Sequence, residues 1–234
     1  MLIVPEALIA QLVTPADAFT AIKACFAAMA RGNAYNFPVV REALGDGRQY
    51  GFKSGLDHTG RQLGVKAGGY FPGNAARGLI NHQSSVFLFD PETGRPVAMV
   101  GGNLLTALRT AAAAAISIDL LARADARVLG MVGAGHQAMF QLRAAAQVRR
   151  FERVIGWNRH PERLPNLAAV AAGLIARGAV HPLGNVIIGR HPGRVSADQI
   201  TLFDGTGVGL QDLAVATLAM ARAQERGLGV EVEV

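Results

Sequence analysis

The first hundred residues pass from a helical pattern of apolar positions to a strand pattern. Thr14 followed by Pro15 is typical of a helix start, with Thr as the N-cap and Pro at the first helical position. Apolar residues then recur at helical spacing until Gly32, where we expect the helix to end. Between residues 37 and 100, short β-like runs alternate with Gly- and Pro-rich turns, which predicts a largely antiparallel sheet. The predicted strands are 38–42, 50–54, 63–69, 84–90 and 96–100.

The second half of the chain alternates between helix and strand patterns. An Ala-rich helix is followed by a strand, a Gly-rich turn, a helix and a further strand, which is the order of a βαβ unit. The predicted elements are helix 104–121, strand 127–132, a helix to about residue 148, strand 153–157, helix 167–177, the apolar run 186–188, strand 199–203 and helix 210–226. We therefore expect an α/β protein of two domains, one formed by residues 1–122 plus 199–234 and the other by residues 123–198.

Composition and charge narrow the possible classes. Half of the residues are hydrophobic and 17% are charged, so a packed core is expected. The net charge of +6 comes from scattered arginines without aromatic interleaving, which argues against nucleic-acid binding. The apolar stretch 104–121 is interrupted by Arg109 and Asp119, so no membrane span is predicted, and the N-terminus lacks the pattern of a signal peptide. Cys25 is the only cysteine, which excludes an internal disulfide and a thiolate metal cluster. We expect a cytoplasmic protein and no metal site.

A glycine-rich turn follows the strand at 127–132. It carries Gly133-x-Gly135-x-x-Ala138, the dinucleotide-binding pattern, in the strand–turn–helix context that makes this pattern informative. The first Gly permits a tight turn, and the second lets the backbone approach a pyrophosphate. The N–H groups of the next helix, from His136 and Gln137 onward, would then face the phosphates. A Gly-rich turn without a cofactor is the alternative.

The end of the second strand normally decides between the two nicotinamide dinucleotides. In NAD-binding proteins an acidic residue there accepts a hydrogen bond from the ribose 2′-hydroxyl. This chain has Asn158 and Arg159 at that place. Asn158 suits a ribose hydroxyl and Arg159 suits a 2′-phosphate or a solvated loop. The choice between NAD(H) and NADP(H) therefore stays open.

Several further motifs occur in a recognisable order. The motifs are Pro38-Val-Val-Arg-Glu42, Tyr50-Gly-Phe-Lys-Ser54, Leu63-Gly-Val-Lys-Ala67, Leu104-Leu-Thr-Ala-Leu-Arg-Thr-Ala111 and Thr201-Leu-Phe-Asp-Gly-Thr-Gly-Val-Gly-Leu-Gln-Asp212. This order resembles the ornithine cyclodeaminase and mu-crystallin family over nearly the whole chain. Within that family, the sequence around residues 36–41, 51–55, 81–83 and 100–103 is most similar to iminosuccinate reductases, which reduce iminosuccinate to L-aspartate with NADH.

The resemblance implies a set of substrate and cofactor residues. It makes Arg41, Lys66 and Arg109 the ligands of a substrate α-carboxylate, with Lys66 and Arg109 as catalytic residues; Arg offers a bidentate fork and Lys a point charge. The candidate pocket segments contain no carboxylate beyond Glu42, whose side chain should point to the opposite face. A cluster of cations without carboxylates implies an anionic ligand. Lys53 and His82 are therefore the candidates for a second carboxylate of the substrate. As alternatives, Arg109 is a surface helix arginine, Lys66 is an edge-strand lysine, and Lys53 and His82 are half-exposed strand residues. The cofactor residues implied are Thr110, Gly133, Gly135, His136, Gln137, Ala138, Asn158, Arg159, Gly205, Thr206 and Gly207.

One segment departs from the family pattern. The residues between Trp157 and the predicted strand at 199–203 are too few for the further βα units that hold the nicotinamide half of a dinucleotide. The resemblance therefore implies an antiparallel-sheet substrate and dimerisation domain plus a truncated Rossmann-type domain, in a homodimer that acts on a small anionic imino acid. A cyclodeaminase or alanine dehydrogenase activity, or an inactive crystallin-like binding protein, are the alternatives.

Overall fold

The computed structural model describes residues 1–132, 136–157, 182–199, 201, 203, 205 and 207–233. Its described elements confirm the predicted α/β class. The helices are α1 (Glu6–Leu12), α2 (Pro15–Arg31), α3 (Asn103–Leu121), α4 (His136–Val148), α5 (Leu183–Ile187) and α6 (Gly209–Glu225), with a 3-10 helix at Pro72–Arg77. The strands are β1 (Leu2–Val4), β2 (Ala34–Asn36), β3 (Val40–Gly45), β4 (Arg48–Asp57), β5 (Gln62–Tyr70), β6 (His82–Phe89), β7 (Pro96–Gly101), β8 (Val128–Val132), β9 (Arg153–Trp157) and β10 (Val230–Glu231).

Helix α2 begins and ends as its sequence predicts. The Thr14 hydroxyl accepts a hydrogen bond from the Asp17 N–H, and the Asp17 carboxylate accepts one from the Thr14 N–H, which completes a capping box. Gly32 ends the helix in the left-handed conformation, at φ 81°. The Asp17 carboxylate also binds Arg222 of α6, so the same residue joins the first turn of α2 to the C-terminal helix.

Eight strands form one large sheet, in the order β10-β1-β7-β6-β5-β4-β2, with β3 paired to β4. All of these pairs are antiparallel except β1 with β7, so the predicted antiparallel sheet is confirmed. The five predicted strands correspond to β3 to β7 with small shifts at their ends. Strands β1, β2 and β10 were not predicted, because two- or three-residue runs show no measurable alternation.

The core lies between one face of this sheet and the helices. Val86 and Val100 are fully buried on that face, and Leu105 of α3 and Leu213 of α6 pack over them. Burying a side chain of this size contributes about 1.5–3 kcal/mol. Helix α6 therefore lies above β4 to β6 and α3 lies against β6 and α6, and this arrangement determines the position of the candidate site.

Among the described helices, α3 is long and apolar enough to cross a membrane by those two measures alone. Most of this helix is buried against α2, α6 and the sheet, which is the arrangement of a core helix in a globular protein. Two polar residues of α3, Thr106 and Arg109, are themselves buried inside the protein. The predicted cytoplasmic location is not tested by these observations and stays a prediction.

The βαβ unit is confirmed in the described part of the chain. Strands β8 and β9 are parallel, with Val128 opposite Arg153, and α4 lies between them in sequence. Helix α4 packs against α3, where Ala144 contacts Ala111 and Ala115. The helix predicted at 167–177 and the spatial break or incomplete sheet expected between residues 161 and 171 lie outside the described residues.

The segment before α6 differs from the prediction. Residues 199, 201 and 203 are not in a strand, so the strand predicted at 199–203 is wrong for them. Residues 182–199 instead lie against the first helices: Arg190 donates to the Ala30 carbonyl and Arg194 to the Leu121 carbonyl. The exact division of the chain into two domains stays a prediction.

Candidate active site

Most of the predicted substrate residues share the core face of the sheet. Lys53 on β4 lies directly opposite Lys66 on β5, and Arg41 lies opposite Gly51, two residues before Lys53. Because side chains alternate along a strand and opposed residues share a face, all three cations belong to the same face. His82 is paired with Tyr70, four residues after Lys66, so it belongs to this face as well.

A carboxylate from the C-terminal helix lies at the centre of these cations. Asp212 of α6 is fully buried, and its Oδ2 atom forms an ion pair with the Lys66 Nζ atom at 2.9 Å. Its Oδ1 atom accepts a hydrogen bond from the Arg109 Nε atom at 3.1 Å. The Thr106 hydroxyl lies between these groups, 3.4 Å from Lys66 Nζ and 3.5 Å from Asp212 Oδ1. One carboxylate therefore holds two of the three predicted α-carboxylate ligands.

Helix α3 is held in place by polar contacts at its start. The Glu6 carboxylate accepts hydrogen bonds from the N–H groups of Asn103 (3.1 Å) and Leu104 (2.7 Å). The Asn103 side chain in turn accepts a hydrogen bond from the Ser84 N–H at 2.8 Å. These contacts satisfy two amides that have no partner within the helix and fix Arg109, two turns further along, relative to β6.

The segment that precedes α6 lies against two of the cations. The Lys53 Nζ atom donates to the Gly207 carbonyl at 3.0 Å. Gly207 has φ 72°, and a side chain added there would collide with the Arg109 guanidinium. A residue with a Cβ atom is excluded at this position for both reasons.

Burial and neighbouring charges shift the pKa values of the site. Burial lowers the pKa of Lys66, and the charge of Asp212 opposes this shift. The pKa of Lys53 is lowered to about 8, first by burial and then by the charges of Lys66 and Arg109. Burial acts to raise the pKa of Asp212, but Arg109 and Lys66 together hold it below its usual value. Asp212 is therefore an anion near neutral pH.

His82 has an unsatisfied polar atom. Burial, followed by the charge of Lys66, lowers the pKa of His82, so its ring is neutral near pH 7. Its Nδ1 atom and the Ser84 hydroxyl are buried without a hydrogen-bonding partner in the described part of the chain. Buried polar atoms are costly without partners, so both are suited to meet a ligand.

One sequence-based expectation about this cluster is wrong. We expected the candidate pocket to contain no carboxylate beyond Glu42, yet Asp212 is inside the cluster and pairs with two of its cations. The cations come from β3 to β6 and α3, whereas Asp212 and Gln211 come from the last helix, α6. The Gln211 Oε1 atom accepts a hydrogen bond from Arg109 Nη1 at 3.1 Å. The burial of Gln211 and Asp212 depends on the elements packed against α6, and polar residues at a helix start are usually exposed, so no local pattern indicated it.

The outcome for the remaining predicted substrate residues is mixed. Lys66 and Arg109 are 5% and 6% exposed, which excludes their alternatives as an edge-strand lysine and a surface arginine. Lys53 and His82 are half-buried beside them. Arg41 is exposed on β3, so it shares the face of the sheet but stands outside the buried network.

The predicted cofactor residues are only partly described. His136, Gln137 and Ala138 form the first turn of α4, as predicted, and the Gln137 Oε1 atom is buried without a partner among the described residues. The Thr110 hydroxyl donates to the Thr106 carbonyl within α3, and Gly205 is exposed. Gly133, Gly135, Asn158, Arg159 and Thr206 lie outside the described residues. No group of residues that could hold a metal ion occurs within the described ranges.

Comparisons with known proteins identify similar chains and structures. The iminosuccinate reductase of Paracoccus denitrificans is 46% identical over 321 aligned positions that cover all of both chains. Its crystal structure in complex with NAD+ has a TM-score of 0.89, at 45% identity, and covers 100% of this chain and 99% of that one. A Thermococcus litoralis Δ1-pyrroline-2-carboxylate reductase, solved with NADH and L-proline, has the same fold, with a TM-score of 0.90 at 21% identity over 99% of this chain and 100% of that one.

The alignments also bear on the segment that departs from the family pattern. The 321 aligned positions exceed the 234 residues of the chain, so part of the relative's length has no counterpart here. The model of the ornithine cyclodeaminase/mu-crystallin family matches in two pieces, residues 5–176 and 172–227, which meet near residue 174. This supports a shortened dinucleotide domain. Because these two pieces together cover nearly the whole length, the chain belongs to the ornithine cyclodeaminase/mu-crystallin family.

Proposed function

We propose that the protein reduces a small dianionic imine with a nicotinamide dinucleotide, and that iminosuccinate, reduced to L-aspartate, is its substrate. The observation that carries the proposal is the excess of positive charge in the buried cluster. Lys66 and Arg109 are both buried against Asp212, the one buried carboxylate that the described residues place between them, so these three side chains together carry a net positive charge. Uncompensated buried charge is costly, and an anionic substrate would relieve that cost.

The α-carboxylate is assigned to Arg109 and Lys66, with Arg41 closing the site from the exposed strand. Asp212 and Gln211 engage Nε and Nη1 of Arg109, while its Nη2 has no hydrogen-bonding partner among the described residues. A charge-assisted hydrogen bond from Nη2 would orient the substrate. The lowered pKa of Lys66 suits a group that gives a proton to the imine nitrogen, since an iminium accepts a hydride more readily than a neutral imine.

The distal carboxylate is assigned to Lys53 and His82. Lys53 lies directly opposite Lys66 on the sheet, and His82 has a buried Nδ1 atom without a partner among the described residues. A second positively charged group beside Lys66 would bind the distal carboxylate of a dicarboxylate and would have no such partner in a monocarboxylate. Ornithine is disfavoured, because the one buried carboxylate described in the cluster, Asp212, is already paired with two cations.

The described residues of the βαβ unit fit a dinucleotide. The first turn of α4, which follows residues 133–135 in sequence, would offer its N–H groups to the pyrophosphate. The buried Gln137 Oε1 atom is an acceptor that a ribose hydroxyl would satisfy. Asn158 and Arg159 are assigned to the adenine ribose, and Thr110, Gly205, Thr206 and Gly207 to the nicotinamide end, with NAD(H) preferred and NADP(H) as the alternative. When bound, the reduced nicotinamide supplies the hydride.

The experiment that tests this function is NADH oxidation in the presence of oxaloacetate and ammonia, which together form iminosuccinate. Pyruvate with ammonia gives the matched monocarboxylate imine, and ornithine tests cyclodeamination. We expect the fastest turnover with the dicarboxylate. Faster turnover of ornithine than of either imine would reject the reductase proposal.

A second function is favoured by the shortened dinucleotide segment. The chain lacks part of the length of the Paracoccus denitrificans enzyme near residue 174. In the second proposal, it binds the anionic substrate or the cofactor as a carrier and does not turn the substrate over. Calorimetry separates the two functions: binding of NADH without oxidation by any imine would favour the carrier.

We also propose a homodimer through the open face of the large sheet. Val40, Tyr50 and Phe52 lie on the face opposite Lys53, and 46%, 37% and 43% of their surfaces are exposed. A contiguous apolar patch of this kind is typical of an interface between subunits. An archaeal alanine dehydrogenase of the same fold was solved as a dimer with bound NAD, with a TM-score of 0.88. Light scattering of wild type and Phe52→Glu tests the proposal: wild type should be a dimer and the variant a monomer, while the exposed helix variant Thr20→Glu stays dimeric.

A further inference from the structure

The buried network contains a residue whose role is separate from substrate binding. Asp212 is fully buried, and it forms ion pairs with Lys66 through its Oδ2 atom and with Arg109 through its Oδ1 atom. Flanked by two cations, it remains an anion and is unsuited to donate a proton in the reaction. Its position is itself fixed, because it lies in the first turn of α6, where the Leu210 N–H binds the Asn36 side chain.

The two contacts of Asp212 occupy only part of what each cation can donate. Lys66 has three N–H groups, of which one serves the ion pair with Asp212 and one lies 3.4 Å from the Thr106 hydroxyl. Arg109 uses Nε for Asp212 and Nη1 for Gln211. Each cation therefore keeps a donor that no described residue occupies, while its orientation is already determined.

We propose that Asp212 is a positioning residue that holds Lys66 and Arg109 in place, and Lys66 protonated, before the substrate binds. Without it, two buried cations would face each other with no opposing charge among the residues that the structure describes. This inference deepens the proposed function and rests on it, because it names the residue that organises the assigned α-carboxylate site.

The charges around Lys66 make the consequence for pH clear. The titratable and charged groups described around it are Lys53 on β4, His82 on β6, Arg109 on α3 and Asp212 on α6. Of these described groups, Asp212 alone is negative and favours the protonated lysine. Its removal would lower the pKa of Lys66 further, so Lys66 would lose its proton at a lower pH.

The test is the pH profile of kcat/KM for Asp212→Asn with the monocarboxylate imine, for which Lys53 has no assigned role. The substitution keeps the shape of the side chain and removes its charge. At neutral pH we expect a loss of about 10- to 100-fold, from a charge-assisted contact. The alkaline limb of the profile should move to lower pH by about one unit. Asp57→Asn is the matched control, since Asp57 is also a buried aspartate but lies at the end of β4. Its carboxylate accepts hydrogen bonds from the N–H groups of Thr59 and Gly60. It should lower the melting temperature and leave the alkaline limb in place.

An unchanged alkaline limb in Asp212→Asn, with activity reduced equally at every pH, would overturn the proposal and leave a purely structural role. If Asp212→Asn does not fold, Thr106→Val removes the hydroxyl between Lys66 and Asp212 at nearly constant volume, and a smaller shift in the same direction is expected. No shift in this variant would also overturn it.

Failure of the proposed function is distinguished by a binding assay. Succinate is a dicarboxylate that cannot be reduced, and its affinity is measured by calorimetry with wild type and Asp212→Asn. A wild type that oxidises no NADH but binds succinate, with binding lost in the variant, supports Asp212 and rejects the reductase. Equal succinate affinity in both proteins rejects the role of Asp212.

Discussion

Lys53 distinguishes the candidate substrates most directly at the residue scale. We predict that Lys53→Met lowers kcat/KM for the dicarboxylate imine by about one to two decades, the equivalent of a charge-assisted hydrogen bond. The loss with the monocarboxylate imine should be much smaller, because Lys53 is assigned to the distal carboxylate. Lys23→Met is the matched control, since Lys23 lies on α2 beside the Phe19 ring, away from the cluster. Equal losses on both imines would contradict the assignment of two carboxylates.

The pH dependence of the same residue provides an independent check. The pKa of Lys53 is lowered to about 8, so its positive charge is present below that pH and is lost above it. KM for the dicarboxylate should therefore rise as the pH passes about 8, while KM for the monocarboxylate stays nearly level. The sign is opposite for stability: the unfolded chain holds the lysine proton up to its ordinary pKa of 10.5, so burial of Lys53 costs less as the pH rises between these values.

Gly207 tests the close contact between the loop and the cation site. We predict that Gly207→Ala lowers kcat/KM by at least tenfold, because the new methyl group would displace the Arg109 guanidinium. Gly227→Ala is the control, since Gly227 also has a positive φ, at 62°, but an added Cβ there meets nothing within 4 Å. Both variants carry similar backbone strain of about 1–3 kcal/mol. Equal activity losses in the two variants would show that strain alone is responsible.

The residues of the site were predictable where a motif carried their chemistry. The two lysines, Arg109 and His82 follow from the motif order, and the register of β4 to β6 then brings them to one face. Asp212 was missed as a site residue, because burial of a charge in the first turn of a helix depends on which other element lies above it. No local pattern in the sequence contains that information.

At the scale of elements, Asp17 connects the start of α2 to α6. We predict that Asp17→Ala lowers the free energy of unfolding by about 1–2 kcal/mol, since it removes both the capping box and the contact with Arg222. The pKa of Asp17 is held well below its usual 3.8 by hydrogen bonds from Arg222 and Thr14. Its contribution is therefore present above that pH and is lost in acid.

Thermal melting of Asp17→Ala and Asp125→Ala checks this prediction. Asp125 pairs with Arg123 on the exposed surface, where a salt bridge contributes at most about 1 kcal/mol. A melting temperature that falls equally in both variants, or a loss for Asp17→Ala that persists unchanged in acid, would contradict the account.

The accuracy of the element predictions followed the length of each pattern. Long periodic segments such as α2, α3, α4 and α6 were predicted to within a residue or two. The strand predicted at 199–203 failed for its described residues, because an apolar run that packs on helices looks like a strand in sequence. Helix α5 was missed since its five residues are too few to show a helical period.

At the scale of the whole molecule, the large sheet separates two functions. One face carries the buried cations beneath α3 and α6, and the opposite face presents Val40, Tyr50 and Phe52 to solvent. A dimer through that second face would leave the cation cluster undisturbed. The predicted fold class followed from strand order alone, whereas the shortened dinucleotide segment became apparent only by comparison with the family pattern.

The shortened segment makes turnover the central question for this chain. Lys66 and Arg109 are joined to Asp212 by ion pairs within the described residues, so the proposed anion site lies on elements that the structure describes. Hydride transfer depends in addition on how the shortened domain holds the nicotinamide.

The most direct measurement is NADH oxidation in the presence of oxaloacetate and ammonia, followed by the absorbance of the reduced nicotinamide. L-Aspartate is quantified as the product of the same reaction. The account predicts one L-aspartate formed for each NADH oxidised. It also predicts a kcat/KM higher than with pyruvate and ammonia. NADH oxidation with no L-aspartate, or no oxidation with any imine by a folded protein that binds NADH, would contradict it.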